Sequence, residues 1–106
     1  APVDDGDPVT RVTVIARFKA KPGQEAALRE ELTALLAPTR REKGCLNYDL
    51  HEARGDPSTF LFHENWASEE ELNAHLAAPH ITRFLARSAA LVAAPIEISR
   101  YRRVGG

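Results

Sequence analysis

Residues 10 to 19, TRVTVIARFK, alternate Val12, Val14, Ala16 and Phe18 with Thr13, Arg17 and Lys19, the period-two pattern of a strand with one buried face. The next stretch, KPGQEAALREELTALLAPTRREKG, carries Leu28, Leu32, Leu35 and Leu36 at helical spacing, with Pro22 suited to the first turn. Pro38 lacks a backbone donor and restricts Ala37, so the helix should kink or end there, with one further turn before Gly44. In CLNYDLHE, residues 45 to 52, Leu46, Tyr48 and Leu50 alternate with Asn47, Asp49 and His51 as a second strand. ARGDPS supplies a reversal, and TFLFHENW then reads as a third strand with Phe60, Phe62, Glu64 and Trp66 on one face.

Ser68 followed by Glu71 is a capping box, so a helix starts there. Pro79 interrupts it, after which Ile81, Phe84, Leu85, Ser88, Leu91 and Val92 keep the rhythm of an amphipathic helix. PIEISRYRRV closes the chain as a fourth strand. The order βαββαβ is that of the ferredoxin-like split arrangement, an α+β fold with both helices on one face of a four-stranded antiparallel sheet. The second and third strands are expected to pair as a hairpin. On the helix-free face, Ile15 and Leu61 are apolar and need a cover, which a second copy of the chain would supply, so a homodimer is expected.

The 106 residues suffice for one domain with a real core and not for two. Residues 10–104 are read as that domain and residues 1–9, APVDDGDPV, as a flexible polar arm without the basic end or apolar stretch of a secretory signal. With 27% charged residues, a formal net charge of -1 and basic residues spread along the chain, nucleic acid and anionic lipid are not expected partners. No run is long enough to span a membrane. The lone Cys45 permits no intrachain disulfide and fits a reducing compartment, so a cytoplasmic location is expected.

The stretch HENWASEEELNAHLAAPH, residues 63 to 80, holds three of the four histidines and the only tryptophan. A metal site is not expected: His75 and His80 are five apart with Pro79 between them rather than at the i, i+4 spacing that shares a helix face, and no HExxH or second Cys is present. The plain alternative makes His75 and His80 packed polar residues at the edge of the core, and Trp66 a packing anchor. Glu64 resists that reading, because a carboxylate between Phe62 and Trp66 on the helix-facing side is costly to bury without a partner, for which His75 or a backbone amide is available. Tyr48 joins this group if the second and third strands form a hairpin. Tyr48 and Trp66 as walls, with Glu64, His75 and His80 as polar groups, compose a pocket suited to a small aromatic ligand.

TVIARFKAKPGQEAAL, REKGCLNYDLHE and FLFHENWASEEELNAHLAAPHITRF resemble the antibiotic biosynthesis monooxygenase family, particularly its small quinol monooxygenase-like members, from about residue 11 to residue 103. The most specific part is Glu64-x-Trp66 followed by His75 and the Pro79-His80 pair, with Gly44-Cys45 and Tyr48 a further match. The resemblance implies a dimeric α+β barrel with a pocket between sheet and helices in each subunit, and oxidation of a phenolic, hydroquinone or anthrone-like substrate by O₂ without cofactor. It assigns His75 or His80 as the base, Glu64 as the group holding a histidine in its working tautomer, and Tyr48 and Trp66, with Phe62 and Phe84, as substrate-binding walls.

Several residues depart from the pattern. Asn65 faces away from the expected pocket, and His51 and His63 alternate onto the helix-free face. Haem-degrading relatives use a first-strand Asn where this chain has Ala16, which weighs against haem. A small-metabolite isomerase or a non-catalytic aromatic-ligand-binding dimer remains an alternative on the same scaffold.

Overall fold

The computed structural model describes residues 10–106, so the arm expected over residues 1–9 lies outside the described residues. The elements are β1 (Val12–Lys19), α1 (Glu25–Ala34), α2 (Leu36–Arg40), β2 (Cys45–Ala53), β3 (Asp56–Trp66), α3 (Glu69–Leu76), α4 (Pro79–Ser88) and β4 (Glu97–Tyr101). The four strands form one antiparallel sheet in the order β2-β3-β1-β4. This is the expected ferredoxin-like α+β topology, with each expected helix divided in two. No helix among the described residues is long and apolar enough to cross a membrane.

Both divisions have a backbone cause. Pro38 cannot donate to the carbonyl of Ala34, and its ring crowds that carbonyl. The chain therefore breaks at Leu35, three residues before the expected kink, and Pro38 falls in the first turn of α2, where its missing donor is harmless. Pro22 lies outside the helix altogether, in the turn that Gly23 completes at φ +86°. Pro79 opens α4 as a first-turn proline while α3 has ended at Leu76. The helix stops at Ser88, and Val92, expected on the helical stripe, instead bridges Ala20. The Ser68 cap is formed, its Oγ accepting from the Glu71 amide at 3.2 Å.

Val12, Val14, Ala16 and Phe18 face the helices and pair in register with Trp66, Glu64, Phe62 and Phe60. Leu28 and Leu32 from α1, Leu35 at the break after it, Leu72 from α3, and Ile81 and Phe84 from α4 close over them. Phe18 meets Phe62 and Phe84 edge-on, each at 5.8 Å between centroids, an arrangement that suits ring quadrupoles. On β2 a bulge between Cys45 and Asn47 shifts the alternation, so Cys45 packs on the core where Leu46 was expected. Beyond the bulge, Tyr48 lies opposite Glu64. The ion pair of Arg100 with Glu69 ties the edge strand β4 to the start of α3.

Candidate active site

Between sheet and helices lies an apolar slot. Val14, Ala16 and Phe18 of β1 with Phe62 and Glu64 of β3 make its floor, and Tyr48 of β2 one end. His75 and Leu76 of α3, Ile81, Phe84 and Leu85 of α4, and Leu35 make the roof, with Ile96 and Ile98 at the edge. The walls enclose about 410 Å³ of non-atom space, mouth included. Leu85 and Ile98, 46% and 45% exposed, form an apolar lip. A narrow apolar slot with three titratable groups in its wall, Tyr48, Glu64 and His75, suits a flat, largely apolar ligand.

Glu64 is 3% exposed, and its Oε1 accepts the Trp66 indole N–H at 2.9 Å. Residues two apart on a strand share a face, so the i, i+2 spacing alone brings this pair together. Burial pushes the Glu64 carboxyl up to about 7; the indole hydrogen bond opposes the shift and the charge of Glu42 adds to it. The partner expected from sequence, His75 or a backbone amide, is therefore replaced by Trp66.

His75 is held by a different carboxylate. Its Nδ1 lies 2.8 Å from Glu42 Oε2, in the loop between α2 and β2. A carboxylate oxygen accepts, so Nδ1 carries the hydrogen and Nε2 keeps a free lone pair. No protein hydrogen bond to Nε2 is found among the described residues, and His75 lines the slot. Burial pushes the imidazole below its ordinary pKa, opposed by Glu42 and reinforced by His80. The ring is clamped between Trp66, tilted at 33° with centroids 4.5 Å apart, and Tyr48, met edge-on at 5.5 Å. Tyr48 in turn stacks on Phe62 at 4.2 Å, and burial raises its phenol far above the ordinary range.

Glu42 is placed by a tight turn. Its amide donates to Thr39 O at 2.9 Å, and its carbonyl accepts from the Cys45 amide at 3.2 Å. Gly44 then takes φ +83°, and its carbonyl accepts the Ala67 amide at 2.9 Å. A Cβ on Gly44 would stand 2.7 Å from Cβ of Glu71, so glycine is required by both conformation and space. Arg40 anchors the preceding helix by donating to Tyr48 O at 3.1 Å and pairing with Asp49 at 3.2 Å.

The residues singled out in the sequence thus divide. Tyr48, Phe62, Glu64, His75 and Phe84 line the slot. Trp66, wholly buried, stands behind His75 and Glu64 as a support and is not a wall. His80 is also outside the slot: its Nε2 lies 2.8 Å from the same Glu42 oxygen and 3.2 Å from Thr39 Oγ1. His63 lies on the helix-free face beside Asn47, Asn65 interacts there with Thr13 and Asn47, and His51 is exposed, as their alternation predicts. Glu42 and Thr39 were not anticipated, because TRREKG reads as an ordinary charged turn and their partners are more than 30 residues away.

The model of the antibiotic biosynthesis monooxygenase family matches residues 11–87. The chain belongs to this family. It is 38% identical over 88 residues to the "putative monooxygenase Rv0793" of Mycobacterium tuberculosis, covering 83% of this chain and 86% of that protein. It is 30% identical over 89 residues to the "putative monooxygenase YcnE" of Bacillus subtilis, covering 84% and 94%. The crystal structure of PA3566 from Pseudomonas aeruginosa superimposes with a TM-score of 0.87 at 39% identity, over 94% of this chain and all of that one. In this member of the antibiotic biosynthesis monooxygenase family, the slot has the Glu42–His75 pair at its wall.

Proposed function

We propose that this monooxygenase oxidises a flat hydroquinone or anthrone-like substrate with O₂ in the slot, using His75 as its base and no cofactor. The observation that carries the reading is the uncommitted Nε2 of His75, in a slot otherwise walled by apolar and aromatic groups, with Nδ1 fixed by Glu42. Burial keeps the imidazole neutral and able to accept a proton at neutral pH. Glu42 stabilises the imidazolium that results, and the Trp66–Tyr48 clamp fixes the ring's direction.

His75 takes the substrate's hydroxyl proton, and the resulting anion passes an electron to O₂. The radical pair combines to a hydroperoxide on carbon, whose O–O bond breaks with loss of water. For a hydroquinone, one O₂ is consumed, one oxygen atom enters the ring as a hydroxyl, the ring leaves as the quinone and the second oxygen leaves as water. The substrate supplies all four electrons. Glu64, with a carboxyl pushed up to about 7 and so still partly protonated near neutrality, is the acid beside the same slot that can hydrogen-bond the leaving oxygen. Exclusion of water by Phe18, Phe62 and Phe84 protects the radical pair.

The homodimer expected from sequence belongs to the same proposal, with Ile15 and Leu61 on the helix-free face meeting a second copy. The test of the chemistry is a panel of hydroquinones and anthrones with ¹⁸O₂ and chelator-treated protein. The reading expects one labelled oxygen in the product and one in water. A product free of label, or equal conversion without oxygen as an isomerase would give, rejects it.

A further inference from the structure

We infer that Glu42, His75 and His80 form a binding site for a divalent transition-metal ion of borderline softness, such as Zn²⁺ or Co²⁺, on the outer side of the His75 ring from the slot. The starting point is His80, which the proposed oxidation does not use. One acceptor suffices to fix the His75 tautomer, yet a second imidazole turns its Nε2 onto the same oxygen, Glu42 Oε2. His75 Nδ1, His80 Nε2 and the Glu42 oxygen all lie within 4.8 Å of one another. They arrive from three places: the α2–β2 loop, the last turn of α3 and the first turn of α4. The spacing that argued against metal in a continuous helix loses its force here, because the helix ends at Leu76 and restarts at Pro79.

Two imidazoles and one carboxylate are the donor set of zinc and its first-row neighbours, whereas calcium and magnesium prefer oxygen alone. An ion about 2.0–2.2 Å from each donor needs donors roughly 3.0–3.5 Å apart. Glu42 must therefore retreat by a fraction of an ångström from each nitrogen, and the two imidazole nitrogens, which lie within 4.8 Å of each other, must come to the same spacing, at a site whose side chains are 4–17% exposed. Three protein donors leave a fourth position for water or for Thr39 Oγ1, which already stands beside His80. A second feature points the same way. Glu42 also lines an open surface pit with Glu70, Glu71 and Lys43, which gives a hydrated cation a largely acidic approach.

Metal on Nδ1 would move the His75 hydrogen to Nε2 and convert the base into a donor. That consequence alone rests on the proposed oxidation, and it makes the metal-loaded and base-active forms mutually exclusive.

The experiment titrates the chelator-treated full chain with Co²⁺, reading its visible d–d bands in the absence of any substrate, and then adds Zn²⁺. The expected result is one Co²⁺ per chain with the intense bands of four- or five-coordinate cobalt, displaced by Zn²⁺. His80→Ala and, separately, Glu42→Gln should each weaken binding at least tenfold, while His51→Ala leaves it unchanged. Weak octahedral bands only, or equal Co²⁺ affinity in folded His80→Ala and Glu42→Gln proteins, would overturn the site. Because the readout involves no substrate, a chain that binds cobalt but oxidises no quinol keeps this inference and loses the proposed function, and the converse result separates them equally.

Discussion

Glu64 and His75 face one slot with opposite shifts, and both are thereby biased to their neutral forms near neutrality. For Glu64 the sign of the stability effect follows directly. Its folded pKa, about 7, exceeds the ordinary 4.5, so the unfolded chain loses the proton first and stability falls as pH rises from about 4.5 to about 7. Glu64→Gln removes that dependence while its side-chain oxygen still accepts from Trp66. The variant should match the native protein near pH 4 and exceed it by about 3 kcal/mol at pH 8 in urea unfolding, since each pKa unit is worth about 1.36 kcal/mol. Equal stability of the two proteins at pH 8 would mean that burial does not hold Glu64 neutral. The need of Glu64 for a partner was legible, because a carboxylate two residues from a tryptophan on a core-facing strand must be satisfied where it is buried. Its actual partner was the indole beside it, a contact the same i, i+2 spacing could have supplied. Glu42 had no such local signal: its role exists only through contacts with residues 33 and 38 positions later.

The strands were legible as elements because their alternation survives to within a few residues, from Val12–Lys19 to Glu97–Tyr101. Prolines marked both helix interruptions, but the consequence of Pro79 differs from what the spacing suggests. A break that seemed to separate His75 from His80 instead turns the end of α3 and the start of α4 toward one carboxylate. The β2 bulge was invisible, since an extra residue leaves hydrophobic composition unchanged while exchanging Leu46 for Cys45 in the core. The turn before that strand carries Glu42 and depends on Gly44. Gly44→Ala should cost about 1–2 kcal/mol from the left-handed backbone alone, with more from crowding against Glu71. Chemical denaturation measures this, and an unchanged midpoint would show that the turn is not strained by a side chain.

On the scale of the whole molecule, the fold treats the two faces of the sheet differently. The helices cover the face bearing Phe62, Glu64 and Trp66, while Ile15 and Leu61 on the opposite face are only partly buried within one chain. The proposed dimer predicts twice the chain mass by light scattering, with Leu61→Glu shifting the population toward monomer; a native protein that is monomeric at high concentration would contradict it. Family membership was readable from motifs spread over most of the chain, but the hydrogen-bond arrangement of His75, His80, Glu42 and Glu64 required the packing of four separate segments. The central claim is that His75, held by Glu42, is the base of an oxygen-consuming reaction in the slot. It is tested most directly by quinol-dependent O₂ uptake of chelator-treated native and His75→Ala proteins. The account predicts that the variant, still folded by circular dichroism, loses at least about 100-fold in turnover, the usual weight of a general base; turnover equal to the native protein's would contradict it.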